Sequence, residues 1–355
     1  MTPLFCQRFP DLALSQTIAE LPTPVRPLDA LGSNAWVKCD DLSHPQYGGN
    51  KIRKLDWIAA DIQQQNKHHV ISFGAIGTNA GVATAMMCQR LGLRCTLYLF
   101  DQPDSDTVRA NLQRMQYYGA ELIYCGSLWQ TMLRFYLSPH RLRRDSYFLW
   151  AGCSNPPAIL AYVDAAFELK QQIDQGIMPV PEKIVLPVGS GSTAAGMYLG
   201  IQLSGLPSEL IAVRVAPAKL GPFDACSDAI VNNMIRQGAS LLGLSQQSLP
   251  TSSLNHQYYG DGYGCADEQV YRAIARFAEA GVTLEGTYSG KAACAFLDQL
   301  TTAQQPVLFW NTFNSSDFLS QVNDPATLLA SLPSRLRRRL SAEGKDQQTA
   351  SAAPQ

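Results

Sequence analysis

Between Arg53 and Trp150 the chain switches repeatedly between two hydrophobic periods. Arg53 to Gln65, Asn79 to Leu91, Val108 to Tyr118 and Leu128 to Leu137 carry apolar residues at helical spacing. Shorter apolar runs, His69 to Phe73, Cys95 to Leu99, Glu121 to Cys125 and Tyr147 to Trp150, read as strands. Strands separated by helices of ~10–15 residues predict a parallel sheet with helices on its faces, an α/β fold. A long helix is expected from Pro157 to Gln175, and a second stretch of the same kind follows it. Its parts are strand Lys183 to Val188, helix Thr193 to Leu203, strand Glu209 to Ala216, helices Asp267 to Ala280 and Ala292 to Leu300, and strand Pro306 to Trp310. Residues 1–47 are broken by Pro3, Pro10, Pro22, Pro24, Pro27 and Pro45, which suits a wrapping segment with a strand at Ala35 to Cys39. The region from Gly221 to Asn255 shows no clear period. From Arg335 the composition turns basic and then rich in Gln, Ser, Ala and Pro, so a frayed helix and a disordered tail are expected over 335–355.

Composition narrows the class. With 355 residues, 46% of them apolar, the chain exceeds the size at which one core stops growing, and two lobes are expected. A formal charge of -1 gives no reason to expect nucleic acid or an anionic membrane as partner. A small neutral or zwitterionic ligand fits better. The nine cysteines are scattered without a CxxC pair, so reduced thiols and no metal site are expected. Met1 to Leu14 is interrupted by Arg8, Pro10 and Asp11 and does not read as a signal peptide, and no run approaches the ~20 apolar residues of a membrane span. A soluble, cytoplasmic protein is the expectation.

Two stretches carry chemistry. Gly48-Gly49-Asn50-Lys51 delivers one lysine to the start of a helix. Ile184 to Gly196 reads as a strand, a turn of small residues (Gly189, Ser190, Gly191, Ser192) and a helix start at Thr193. Free backbone N–H groups and hydroxyls at such a turn suit a phosphate dianion. A dinucleotide site would require an acidic residue ending the following strand, which instead ends Val213-Arg214-Val215-Ala216. No Gly-Lys-[Ser/Thr] closes the loop as a triphosphate site would require. A lysine able to form a Schiff base and a separate phosphate cup together suggest pyridoxal 5'-phosphate, which acts as an electron sink.

With both sites placed, the sequence resembles the pyridoxal-phosphate enzymes of the tryptophan synthase β-like fold (fold type II). Within them it resembles the 1-aminocyclopropane-1-carboxylate deaminase and D-cysteine desulfhydrase family, from about Leu21 to Phe318. The resemblance implies two lobes of open parallel sheets: residues 1–52 with 157–334 as a large cofactor-binding domain, and 53–156 as a small α/β domain. It implies that Lys51 carries the cofactor beside Asn50, and that Lys54 helps neutralise the phosphate. The turn Ser72 to Asn79 matches the family's substrate-carboxylate loop, and Asn79 matches the asparagine beside the pyridine 3'-oxygen. Gly77 stands where the family usually has glutamine, and Thr78 where it has the serine proposed to assist proton transfer. Gly262-Tyr263-Gly264 and Tyr288-Ser289-Gly290-Lys291 resemble the two tyrosine motifs that line the site.

Ser289 replaces a glutamate that the deaminases place near the pyridine nitrogen, and Thr312 matches a desulfhydrase threonine that contacts the same nitrogen. A neutral hydroxyl does not keep that nitrogen protonated as a carboxylate does. Phe313-Asn314 replaces a common glycine pair. The expected reaction is β-elimination and deamination of a small amino acid, of D configuration, to a 2-oxo acid and ammonia. Lys51, Thr78 or Tyr288 would remove the α-proton. Deamination of aminocyclopropane carboxylate, other lyase or racemase activities, and a silent cofactor-binding protein are the alternatives. The resemblance also implies a homodimer.

Overall fold

Parallel sheets form where apolar runs are covered on both faces, and this chain has two of them. The structure is a computed structural model and describes residues 3–14, 17–220, 223–314, 316 and 325–341. In chain order the elements are α1 (Leu4–Arg8), β1 (Val25–Pro27), β2 (Ala35–Cys39), α2 (Asn50–Gln64), β3 (His69–Ala75), α3 (Asn79–Arg90), β4 (Arg94–Phe100), α4 (Asp106–Tyr117), β5 (Glu121–Gly126), α5 (Leu128–Tyr136) and β6 (Ser146–Leu149). Then come α6 (Pro157–Asp174), β7 (Lys183–Val188), α7 (Ser192–Ser204), β8 (Glu209–Arg214), β9 (Lys219–Leu220), β10 (Phe223–Asp224), α8 (Asp228–Leu241), β11 (Leu254–Asn255), α9 (Glu268–Glu279), α10 (Ser289–Thr302), β12 (Val307–Asn311) and α11 (Pro325–Ala330). A last helix, α12, covers 334–341.

The chain divides into two compact units, 1–60 with 154–316, and 61–153 with 317–355. The first holds a six-stranded sheet in the order β1-β2-β12-β7-β8-β11, parallel except for the antiparallel β1 edge. One face packs Leu308, Trp310, Ile184 and Leu186 against α6, α7 and α8. The other packs Val37, Val185, Phe309 and Val213 against α9 and α10. Side chains of successive strand residues thus enter opposite layers, the period-2 rule read on a sheet buried on both sides.

The β7–β12 ladder stops at Val185 and Phe309, although both strands run further. Pro187 lies beyond that last pair, where its missing N–H is not needed by β12. From β7 the sheet order continues to β8 on one side, and β12 lies on the other side. Such a switch point, at the carboxyl ends of parallel strands, is where α/β sheets hold ligands.

The second unit holds a four-stranded parallel sheet, β5-β4-β3-β6, with its own switch point between β3 and β6. The turn after β3 carries Gly77 and Thr78. The helix expected from Arg335 is present over 334–341, with Leu336 and Leu340 four residues apart and buried on one face. Residues 342–355 lie outside the described residues. The aperiodic region after Gly221 contains a regular helix, α8, capped by Ser227 on the Ile230 N–H.

Candidate functional site

Gly48 and Gly49 are glycines because nothing else fits. A Cβ on Gly48 would fall 1.8 Å from the Asp41 carbonyl oxygen, and Gly49 has φ +90° with the Thr312 carbonyl 2.8 Å from its Cβ position. The Gly49 N–H donates to Asp40 O (2.7 Å) and the Asn50 N–H to Thr312 O (3.1 Å). The start of α2 is therefore fixed to the carboxyl end of β12. Lys51 Nζ donates to Asn50 Oδ1 at 2.9 Å, and Asn50 Nδ2 donates to Thr193 Oγ1 at 3.3 Å. One asparagine joins the lysine to the small-residue turn 143 residues away.

That turn leaves its own donors open. Gly191 caps α7 at φ +93° and offers no side-chain acceptor, so the first N–H groups of the helix stay open to a ligand. A Cβ there would press on Met234 Sδ at 3.2 Å and Val231 Cγ2 at 3.3 Å. Ser192 Oγ is buried and has no hydrogen-bond partner. A buried hydroxyl left unpaired costs free energy unless a ligand completes it. Asn311 Nδ2, at the end of β12, is a second buried donor in the same condition, while its Oδ1 accepts the Phe313 N–H at 3.2 Å. Unpaired polar groups at the ends of β12 and of the β7 turn match a flat polar ligand with a phosphate, and pyridoxal phosphate fits that description.

Tyr288 lies over the turn, its Cε1 3.2 Å from the Cβ position of Gly189. Its phenol is hydrogen-bonded to the phenol of Tyr263, the rings meeting edge to face with centroids 5.8 Å apart. Burial, then the neighbouring Tyr263, pushes the Tyr288 phenol well above its ordinary value, and burial raises that of Tyr263. Both tyrosines are therefore neutral at physiological pH.

Ser289 is buried as the first residue of α10, and sequence reasoning missed what holds it there. The Glu285 carboxylate accepts the N–H groups of Thr287 (2.7 Å), Tyr288 (2.8 Å) and Ser289 (2.9 Å), and the Ser289 hydroxyl lies 3.2 Å from Glu285 Oε1. A carboxylate at a helix N-terminus is favoured by the orphan donors and the helix dipole. The signal was present as a glutamate four residues before the helix. Lys54 is buried on α2.

Gly77, Thr78 and Asn79 belong to the second unit. Thr78 caps α3, its Oγ1 accepting the Gly81 N–H at 3.2 Å, and its side chain is pinched between Gly74 and Gly81. Asn79 Oδ1 accepts from Asn111 Nδ2 at 2.9 Å. The absent side chain at Gly77 does not leave a void. A Cβ there would meet Val108 Cγ2 at 2.8 Å and Gln102 Nε2 at 3.0 Å.

Among the described residues no group of three or more His, Cys, Asp or Glu side chains is placed to hold a metal ion. None of the helices described is long and apolar enough to cross a membrane. The nine cysteines are free thiols.

The geometry defines an α/β protein with a lysine tethered, through Asn50, to a turn of open backbone donors at a sheet switch point. Residues 16–312 match the pattern of the pyridoxal-phosphate dependent enzymes, and the chain belongs to that family. A D-cysteine desulfhydrase of Klebsiella pneumoniae is 27% identical over 317 residues, 86% of this chain and 94% of that enzyme. One from Serratia proteamaculans is 29% identical over 322 residues, with the same coverage. The crystal structure of an ACC deaminase homologue superposes with a TM-score of 0.75 at 23% identity, covering 92% of this chain and all of the other. A threonine deaminase isoform of Solanum lycopersicum gives 0.61 at 14% identity, over 94% of this chain and 95% of the other. The two structural likenesses establish the fold, a mixed α/β arrangement of fold type II.

Proposed function

We propose that this enzyme is a pyridoxal-phosphate lyase that converts a small D-amino acid, D-cysteine foremost, by β-elimination and deamination. D-cysteine and water would yield hydrogen sulfide, pyruvate and ammonia. The observation that carries the reading is the Lys51–Asn50–Thr193 chain of hydrogen bonds, which links a lysine nucleophile to a phosphate cup. The D-cysteine desulfhydrases that match most of the chain supply the substrate class.

When bound, the cofactor supplies an electron sink for negative charge at the substrate's Cα. Lys51 would hold it, Ser192, Thr193 and the α7 N-terminus would take its phosphate with Lys54 as counter-charge, and Thr312 and Ser289 would be the residues nearest its ring nitrogen. Lys51 Nζ is the base for the α-proton. Tyr288 is a poor base, because burial keeps its phenol protonated, and with Tyr263 it would offer a neutral hydroxyl pair that hydrogen-bonds the departing thiolate. Thr78 orders the carboxylate turn through its cap on Gly81.

The test is the visible absorbance of the purified holo-protein. The reading expects a lysine-bound cofactor band that disappears in Lys51→Ala and shifts within the mixing time on adding D-cysteine, with sulfide and pyruvate released. A protein that binds no pyridoxal phosphate, or releases 2-oxobutyrate from aminocyclopropane carboxylate but no sulfide from D-cysteine, refutes it.

A further inference from the structure

Strands β3 and β4 run parallel with Ala75 opposite Phe100, and the Ile76 N–H donates to Phe100 O at 2.9 Å. Gly77 and Gln102, each two residues further on, therefore leave the sheet side by side. The Gly77 N–H donates to Gln102 Oε1 at 3.2 Å. A backbone N–H only donates, so the amide atom facing it is the oxygen, and Nε2 remains a donor. The Gly77 carbonyl accepts from Asn111 Nδ2 at 2.8 Å. Side-chain amides thus hold both sides of this residue.

The loop that carries Gln102 is itself held from the carboxyl end of the chain. Arg339 Nε donates to both oxygens of Asp101, at 2.7 and 2.8 Å, and Arg339 Nη2 reaches the Gln102 carbonyl at 3.4 Å. Arg109 Nη2 meets the Leu340 carbonyl at 3.4 Å, and the Asp101 N–H donates to Gly126 O at 2.6 Å.

We propose that Gln102 is the residue that reads the substrate's carboxylate at the Gly77 turn, with Arg339 as its positioning residue. This rests on the functional reading above, in which that turn receives the carboxylate of an amino acid. The Gly77 N–H is the donor a carboxylate would use, and Gln102 Oε1 occupies it. An arriving carboxylate is the stronger acceptor, because its hydrogen bonds are charge-assisted. It takes the Gly77 N–H, the amide rotates, and Nε2 then donates to the carboxylate. One neutral hydrogen bond is exchanged for two charged ones, and no bond is made or broken covalently. An amine without a carboxylate leaves Gln102 on Gly77 and gains nothing from it.

The experiment titrates the holo-protein with D-cysteine and with cysteamine, its carboxylate-free analogue, reading the cofactor's visible spectrum. Gln102→Ala is expected to raise the half-saturating D-cysteine concentration about tenfold, the scale of one lost hydrogen bond to a charged group. Gln102→Glu sets a like charge against the carboxylate and raises it by about a hundredfold. Arg339→Ala follows Gln102→Ala, and cysteamine half-saturation stays unchanged in all three. Equal weakening of both ligands, or wild-type affinity for D-cysteine in Gln102→Glu, overturns the proposal. A wild-type protein that holds the cofactor yet responds to no amino acid overturns the functional reading instead. In the cofactor-free chain, amide exchange at Gly77 tests the clamp directly. Faster exchange is expected in Gln102→Ala and Arg339→Ala, and an unchanged rate rejects it.

Discussion

Replacing Arg53 by Ala removes a cation from a buried cluster two residues after Lys51 on α2. The Arg53 side chain is closed to water and donates to Asp40 Oδ1 from Nε (2.9 Å), to Glu168 Oε2 from Nη1 (3.0 Å), and from Nη2 to Glu168 Oε1 (2.8 Å) and Thr23 Oγ1 (2.8 Å). Without it Asp40 keeps the Tyr162 hydroxyl at 2.6 Å and the Trp310 indole at 2.7 Å, and Glu168 keeps Lys38. Breaking one side of a buried ion pair costs about 3–5 kcal/mol, and the surviving partners place this case near 3.

A second route gives the same order of magnitude for the two cations together. Burial raises the Glu168 carboxyl, but Arg53 and then Lys38 overcome it and bring it from 4.5 to about 2. That displacement is worth roughly 3 kcal/mol at neutral pH, shared between the two cations. A depressed carboxyl stabilises the fold fully above its unfolded value and loses that contribution as pH falls through its folded value. The difference between wild type and Arg53→Ala should therefore shrink from about 3 kcal/mol at pH 7 toward a much smaller value near pH 2.5. Urea unfolding followed by tryptophan fluorescence at both pH values measures it. A loss under about 1 kcal/mol at pH 7, or an equal loss at both, refutes the reasoning. The Asp40 carbonyl also holds the Gly49 N–H, so cofactor occupancy should fall in the same variant.

Asp164 carries the opposite sign. Burial and then the charge of Glu168 raise its carboxyl to about 7, so its contribution is complete below the unfolded carboxylate range and is lost as pH rises toward neutrality. Asp164→Asn should raise the thermal midpoint at pH 8 by several degrees, on the order of 1–2 kcal/mol, and leave it nearly unchanged at pH 4. An unchanged midpoint at pH 8 argues against a buried charge there. Ser192→Ala removes a hydroxyl that has no protein partner, so the cofactor-free chain should unfold at the wild-type temperature or above it. Pyridoxal phosphate should bind about tenfold more weakly to it, measured by fluorescence quenching. A destabilised cofactor-free chain with unaltered cofactor binding contradicts the assignment of that hydroxyl to the phosphate cup.

The strands β2 and β7 run over the residues their apolar runs predict, and most helices begin or end within one or two residues of the expected ends. These are local properties: an apolar run with the right period buries itself wherever it lands. Lys51 and the Gly189–Thr193 turn were legible for a related reason, since a glycine pair and an open helix start impose backbone demands visible in a few adjacent residues. The helix expected from Arg335 is α12, but that Leu336 and Leu340 are buried was not read from the basic composition around them.

What only the tertiary structure decided is how distant residues complete one another. Asn50 joining Lys51 to Thr193, the Glu285 carboxylate behind Ser289, and the Gln102 amide against Gly77 depend on strand order, register and loop course. That the Asn311 Nδ2 is buried without a partner is likewise visible only in the folded chain. By itself the sequence determined which residues must bend or be buried, and the family to which the chain belongs. Satisfying a buried polar group is a long-range condition, met or left open by chain segments far apart in sequence, and only the folded arrangement shows which groups still wait for a ligand.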